Sequence, residues 1–328
     1  MTGLTKNQIK VDLFASVESI QAGLAAEGYI ASAAIATAVY VAHHLQKPVL
    51  IEGPAGVGKT ELAKTLSACL SQALVRLQCY EGLDESKALY EWKYGKQLLY
   101  TQLLKEKLGD VLQSAQGLSE SMQRLHGVSD EFYAEEFLQP RPLLQAISNP
   151  QGAVLLVDEI DKADYEFESL LLEILSDYQV TVPELGTVSA TTVPLVFLTS
   201  NNTRELSDAL KRRCLHLYID FPDAELERRI ITSRVPDISA TLTQSLVAFV
   251  QSLRSIDLKK SPSVSETIDW ANALLLLHAD KLDRATVENT LNLLLKFQED
   301  IAVVSDDLPG LIKSSQAAVR NSANTLGE

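Results

Sequence analysis

Gly53-Pro54-Ala55-Gly56-Val57-Gly58-Lys59-Thr60 fits the pattern G-x-x-x-x-G-K-[ST] at every position. Glycines at this spacing let successive backbone N–H groups turn inward around phosphate oxygens, and a helix start behind them adds partial positive charge. A lysine in the place of Lys59 reaches the β- and γ-phosphates of a nucleoside triphosphate, and a hydroxyl in the place of Thr60 suits Mg2+. Glu61 continues the same helix start, so Gly53 to Glu61 is the expected nucleotide-binding segment.

The run Ala153-Val154-Leu155-Leu156-Val157 ends in Asp158-Glu159. By itself an apolar run followed by two acids is an ordinary way for a strand to leave a core. Downstream of a complete phosphate loop it carries a chemistry: Asp158 acts on Mg2+, through water or directly, and Glu159 polarises the attacking water. Thr199-Ser200-Asn201-Asn202 closes a further apolar run. An amide there can orient the water and sense the γ-phosphate; Asn201 is the expected residue, Asn202 the alternative one place on, and a plain asparagine turn the competing reading. Lys211-Arg212-Arg213 precedes another apolar run. An arginine here can reach the γ-phosphate of a neighbouring subunit, but a basic triplet also suits the solvated end of a helix.

These residues need a scaffold that sets them at strand ends. Pro48 to Ile51 reads as a buried strand, and Thr60 to Ala73, with Leu62, Leu66, Leu70 and Ala73 spaced four, four and three, as a helix. Leu74–Gln78, Ala153–Val157, Leu195–Thr199 and Leu215–Ile219 read as further strands, with a helix over Phe167–Leu175 between two of them. Apolar strands alternating with helices predict an α/β domain on a mostly parallel sheet, over residues 1–220. Residues 1–45 read as helices, 80–150 as an insert of helices and loops bearing Tyr80, Tyr90, Trp92, Tyr94 and Tyr100, and 179–194 as a β-hairpin around Pro183, Glu184 and Gly186. Beyond Phe221-Pro222 the pattern is helical over 224–233, 240–256, 265–279 and 284–304, which predicts a small all-α domain over 221–304, followed by a polar tail at 305–328.

The chain has 328 residues, with 43 Asp and Glu against 29 Lys and Arg, a formal net charge of −14. That balance disfavours non-specific binding to nucleic acid or to an anionic membrane. Three cysteines without a C-x-x-C spacing support neither a disulfide framework nor a zinc knuckle, and point to a reducing compartment. The start of the chain has no signal-peptide apolar run, and Ile30 to Leu45 is too short to span a bilayer. The expectation is a soluble cytoplasmic protein without stable membrane insertion.

The phosphate loop, Asp158-Glu159, the Asn201 strand end, the arginine pair and the C-terminal helices occur in the order of an AAA+ ATPase, and the chain resembles that family over roughly residues 25 to 300. More narrowly it resembles the MoxR family, through DEIDKADYEFESLLLEILSDYQVTVPELGT, and its CoxD-like branch, through YEWKYGKQLLYTQ, RPLLQAI and VFLTSNNTRELSDALKRRC. The resemblance implies a P-loop AAA+ domain with sheet order 5-1-4-3-2 and a helical lid. It also implies a homo-oligomeric ring, usually a hexamer, with ATP and Mg2+ at subunit interfaces and Arg213 or Arg212 acting in trans. It places adenine contacts near Gly28-Tyr29-Ile30, so Tyr29 and Ile30 join the expected cofactor-binding residues. It sets Ala88–Leu98 and the hairpin toward a pore or a partner. It implies a von Willebrand factor A domain protein as partner and a protein client, among which molybdenum and other metalloenzymes are typical of the branch. One departure stands out: where the family often carries a second-sensor arginine this chain has Ser261-Pro262-Ser263-Val264, which implies either a weaker coupling between lid and nucleotide or the use of Lys259, Lys260 or Arg254 instead.

The leading expectation is an ATPase that remodels or matures a protein client. A nucleic-acid motor of the same superfamily is opposed by the net charge. A nucleotide-dependent scaffold with little hydrolysis is opposed by Glu159, which a pure switch does not need.

Overall fold

The computed structural model describes residues 13–102, 135–183 and 185–325. The N-terminal dozen residues, the middle of the 80–150 insert and Glu184 at the hairpin turn lie outside the described residues.

Nine strands are described: β1 (Val49–Glu52), β2 (Ala73–Gln78), β3 (Tyr90–Trp92), β4 (Leu138–Pro140), β5 (Ala153–Asp158), β6 (Gln179–Val182), β7 (Gly186–Ser189), β8 (Leu195–Ser200) and β9 (Leu215–Tyr218). Five of them form a parallel sheet in the order β2-β5-β8-β1-β9. Counted along the sheet strands alone, this is the expected 5-1-4-3-2. Every residue of β5 and β8 is buried, as a central parallel strand requires, and their AVLLVD and LVFLTS sequences carry no polar residue before the last two positions. β2 lies at the edge and is half exposed. Its parallel register on β5 sets Arg76 against Leu156 and Gln78 against Asp158.

The described residues group into two compact units. The first takes the described residues up to Val41, Ile51–Leu70 and those from Leu217 onward; the second takes Ala42–Leu50 and the described residues within 71–216. The first holds α1 (Val17–Ala26), most of α2 (Ala33–Leu45) and α3 (Lys59–Leu70). The α3 helix stops three residues short of the predicted end: Ser71 turns into the left-handed region at φ 53, and Ala73 already belongs to β2.

In the second unit, α4 (Glu85–Ala88) and α5 (Pro142–Ile147) flank an antiparallel pair, β3 with β4. The 80–150 insert therefore contains a small sheet that its mixed sequence did not announce. Trp92 is buried in the unit's apolar core, whereas Tyr94 is 65% exposed, so the insert's aromatics divide between packing and surface. The helices α6 (Tyr165–Asp177) and α7 (Asp208–Arg213) complete the unit, and β6 pairs antiparallel with β7 as a hairpin.

The first unit continues with α8 (Ala224–Arg234), α9 (Ala240–Arg254), α10 (Val264–Leu276), α11 (Arg284–Leu294), α12 (Gln298–Asp306) and α13 (Leu308–Thr325) around a second apolar core. Two predictions need correction here. The single helix expected over 284–304 breaks at Leu295, whose extended backbone tucks a buried side chain into the core. The stretch read as a polar tail forms α13, which packs on α9 with Leu308, Ile312 and Ser315 buried. Its apolar residues recur at a helical spacing too sparse to stand out against the polar background. Among the described residues no helix is long and apolar enough to cross a membrane.

Candidate functional site

The phosphate loop lies in the first unit. Gly53, Gly56 and Gly58 all have positive φ, at 146°, 75° and 98°. At Gly53 the requirement is also spatial, because a Cβ would overlap the carbonyl oxygen of Ile219. Lys59 opens α3 and is 7% exposed, and its Nζ donates to the carbonyls of Gly53 at 2.6 Å and Pro54 at 2.7 Å. The ammonium thus sits inside the turn it serves, where phosphate oxygens can compete for it. Thr60 and Glu61 follow in the first helical turn.

A cavity of about 350 Å³ opens beside this loop, a size suited to a small-molecule ligand. Tyr29, Ile30, Gly56, Val57, Gly58 and Glu61 line it, whereas Gly53, Pro54, Ala55, Lys59 and Thr60 do not. Ile230 of α8 and Ile268 of α10 add apolar wall, as a purine ring needs. Tyr29 is buried, and that burial, with the nearby Glu61 carboxylate, pushes its phenol well above the usual value.

The serine run at the start of α10 closes on the loop. Ser263 caps the helix through a reciprocal bond with Glu266, and the Ser265 N–H and hydroxyl reach the Gly56 carbonyl at 3.4 and 3.5 Å. The three cations considered as replacements for the missing arginine are otherwise engaged. Arg254 forms a buried pair with Glu227, Lys259 pairs with Glu299, and Lys260 with Glu266. Sequence reasoning missed Arg234 of α8, which lines the cavity and pairs with Glu61 at 2.7 Å. Nothing in its local sequence separates it from any basic residue at a helix end.

The acidic cluster lies in the second unit, at the C-terminal ends of β5, β8 and β2. Asp158 is the last residue of β5 and is 3% exposed. The Thr199 hydroxyl donates to its Oδ1 at 2.6 Å and accepts from the Glu159 N–H at 2.9 Å, so one side chain of β8 sets both acids. Arg76 of β2 donates to Asp158 Oδ2 through Nε at 3.1 Å and Nη2 at 2.6 Å. Glu159 turns the chain in the left-handed region at φ 57, which a non-glycine residue adopts at a cost of about 1–3 kcal/mol when its surroundings hold it there.

Three groups hold the Glu159 carboxylate. Asn201 Nδ2 donates to Oε1 at 3.4 Å, and Gln78 Nε2 and Lys162 Nζ donate to Oε2 at 2.9 and 2.5 Å. The bond to Glu159 raises the Lys162 ammonium above its usual value. Asn202 points elsewhere: its backbone is left-handed, and its N–H and side chain turn back on Ser200. The geometry therefore separates the two asparagines.

Asp161, buried three residues past Asp158, accepts from the Asn201 and Thr203 N–H groups and from the Thr203 hydroxyl at 3.3, 3.0 and 2.6 Å. Burial pushes its carboxyl upward, but these donors outweigh that and hold it below the usual carboxylate value. Cys79, one residue beyond β2, is buried beside the acids, and burial, with the charges of Asp158, Asp161 and Glu159, pushes its thiol up to about 12.

Arg212 and Arg213 are exposed at the end of α7, and Arg213 donates to the Ser176 hydroxyl at the end of α6. Neither is bonded to the acidic cluster. The structure thus holds two separate groupings: a loop whose three glycines have positive φ and whose lysine bonds its own carbonyls, and two carboxylates held by Thr199, Asn201, Gln78 and two cations, Arg76 and Lys162.

An uncharacterized protein of Staphylococcus epidermidis is 26% identical to this chain over 250 residues, covering 74% of the chain and 80% of that protein. An uncharacterized protein of Staphylococcus haemolyticus is 23% identical over 256 residues, covering 74% and 84%. Among solved structures, a mutant RuvB of Thermotoga maritima matches with a TM-score of 0.45 and 17% identity, covering 82% of this chain and 70% of that one. The family model of the AAA domain, dynein-related subfamily, matches residues 48–214, just over half of the chain and the stretch that holds both the phosphate loop and the acidic cluster. The chain belongs to the dynein-related AAA domain family.

Proposed function

We propose that the protein is a MoxR-type ATPase that hydrolyses ATP to ADP and phosphate and spends that energy on remodelling or maturing a protein client. The observation that carries this reading is the hydrogen bond from Asn201 to Glu159 beside an Asp158 fixed by Thr199. An amide donor keeps the carboxylate ionised and fixes its orientation, so that it can accept a hydrogen bond from a water and align it, which a nucleotide-operated scaffold does not require. Gly53 to Glu61 binds the phosphates, and Tyr29 and Ile30 receive the adenine. Lys59 balances charge on the β- and γ-phosphates. Thr60 and Asp158 are the residues that would serve Mg2+, a hard cation suited to a hydroxyl and to a carboxylate, and the chemistry it would supply is charge neutralisation on the phosphate oxygens. Glu159 polarises the water for in-line attack, with Asn201 orienting both.

The exposed arginines at the end of α7 suit a role in trans, so the working form is a ring, most simply a hexamer, in which Arg213 or Arg212 completes the neighbour's site. The helices over 221–304 serve as the lid. Following the MoxR resemblance, the partner is a von Willebrand factor A domain protein, the client a molybdenum or other metalloenzyme, and the compartment the cytoplasm.

The test is steady-state ATP hydrolysis over a protein concentration series, with mass measured alongside. Activity per subunit is expected to rise as the oligomer forms, and Arg213→Ala to lower it by about a thousandfold while ATP still binds. Activity indifferent to both concentration and Arg213 would remove the shared site. Glu159→Gln is expected to bind ATP without turning it over; full turnover in that variant would sink the assignment of the water-polarising carboxylate.

A further inference from the structure

Asp158 carries more positive neighbourhood than a metal-side carboxylate needs. Its side chain is 5% exposed, whereas the arginine that pairs with it is 47% exposed. Two N–H groups of Arg76 converge on Oδ2, and the Thr199 hydroxyl takes Oδ1, so both oxygens have donors. The same Arg76 Nη2 also donates to Gln78 Oε1 at 2.6 Å, which leaves the other end of that amide, Nε2, for Glu159. Arg76 and Gln78 are two residues apart on the edge strand β2, so the pleat sends both side chains to one face. The β2–β5 register then delivers them to the two acids.

We propose that Arg76 is a positioning residue that serves as the resident counter-cation of Asp158 and competes with the divalent cation for that carboxylate, so that it sets how much Mg2+ the ATPase requires. This rests on the reading that Asp158 serves the cation. A buried carboxylate without a partner is costly, and the guanidinium meets that need before any metal arrives. It does so from a half-exposed position, where an ion pair is weak enough to yield to a doubly charged ion. Metal binding therefore displaces or loosens Arg76, and with it the brace on Gln78. Removing the guanidinium leaves Asp158 to the metal alone, so affinity for the cation rises rather than falls.

The experiment measures Mn2+ binding by the paramagnetic signal of the free ion, using the full chain saturated with ADP. Wild type, Arg76→Gln, Arg76→Lys and Asp158→Asn are compared, with thermal melting to confirm folding. Arg76→Gln is expected to bind Mn2+ roughly fivefold more tightly, the scale of one half-exposed ion pair lost as competitor. Arg76→Lys, which keeps the charge with a single point contact, falls between it and wild type. Unchanged or weaker Mn2+ binding in Arg76→Gln overturns the proposal. If that variant does not fold, Arg76→Lys decides alone: affinity equal to or below wild type overturns it. Asp158→Asn separates the two readings. If it leaves Mn2+ binding intact, Asp158 is not the metal-side carboxylate, and the assignment on which the proposal rests falls with it.

Discussion

Asp161 accepts three hydrogen bonds on one buried oxygen and so fixes the loop on which Asn201 sits. Its native carboxyl is held below its usual value, while in the unfolded chain it titrates near 4. The group therefore contributes stability that is present above about pH 4 and is lost as pH falls through the native value. Asp161→Asn should cost about 1–3 kcal/mol at pH 7, the scale of hydrogen bonds to a charged acceptor. The gap from wild type should narrow in acid, as wild type loses the same charge. Urea unfolding at pH 7 and at pH 3 measures both; a gap that stays constant between them would show that the charge on Asp161 is irrelevant. Hydrolysis should fall further than ATP binding in the same variant, because the loop it steadies carries Asn201, which bonds Glu159.

The acids and the amide were legible because each ends an apolar run, and a strand end is where an α/β sheet presents its chemistry. Arg76, Gln78, Thr199 and Asp161 were not, although each is bonded to a predicted residue or its loop. Their roles come from register: Gln78 meets Asp158 across eighty positions of sequence only because β2 and β5 pair in parallel at that offset. The hairpin and the sheet strands showed through their own composition, whereas β3 and β4 pair with each other and neither is long enough to show a period.

Arg254 shows how an element-scale role can pass for a site residue in sequence. Glu227 of α8 is fully buried, and its two oxygens accept from Arg254, Gln251 and Thr267, so a single carboxylate ties α8, α9 and α10 together. Arg254→Ala leaves that charge buried without its partner and is expected to cost about 3–5 kcal/mol, with Glu227→Gln in the same chain recovering part of the loss. Urea denaturation of the single and double variants is the measurement. A single-variant cost below about 1 kcal/mol, the range of an exposed pair, would mean the helices do not depend on it.

For the molecule as a whole, the balance of 43 acidic against 29 basic residues leaves a formal charge of −14, and the structure shows where many of the cations go. Arg76 is paired with Asp158, Arg204 with Glu168, Arg228 with Glu225, Arg234 with Glu61 and Arg284 with Glu288. A guanidinium already bonded to a carboxylate must give up that bond before it can neutralise a phosphate, and counterion release rewards only the phosphates that are neutralised. The net field meanwhile repels a polyanion at distances up to the Debye length, about 10 Å at 0.1 M salt. On the proposed function a nucleotide would escape this penalty, because a loop of this pattern offers backbone amides and a lysine to phosphate at close range. The chain should therefore bind ATP yet leave duplex DNA unretarded in a gel-shift assay at about 0.1 M salt, with a dissociation constant weaker than the 10⁻⁴–10⁻⁶ M usual for non-specific binders. Tight binding that collapses steeply as salt rises would reverse this expectation. It would locate a cationic face whose arginines are released from their carboxylates, and would turn the search for the client from proteins to nucleic acid.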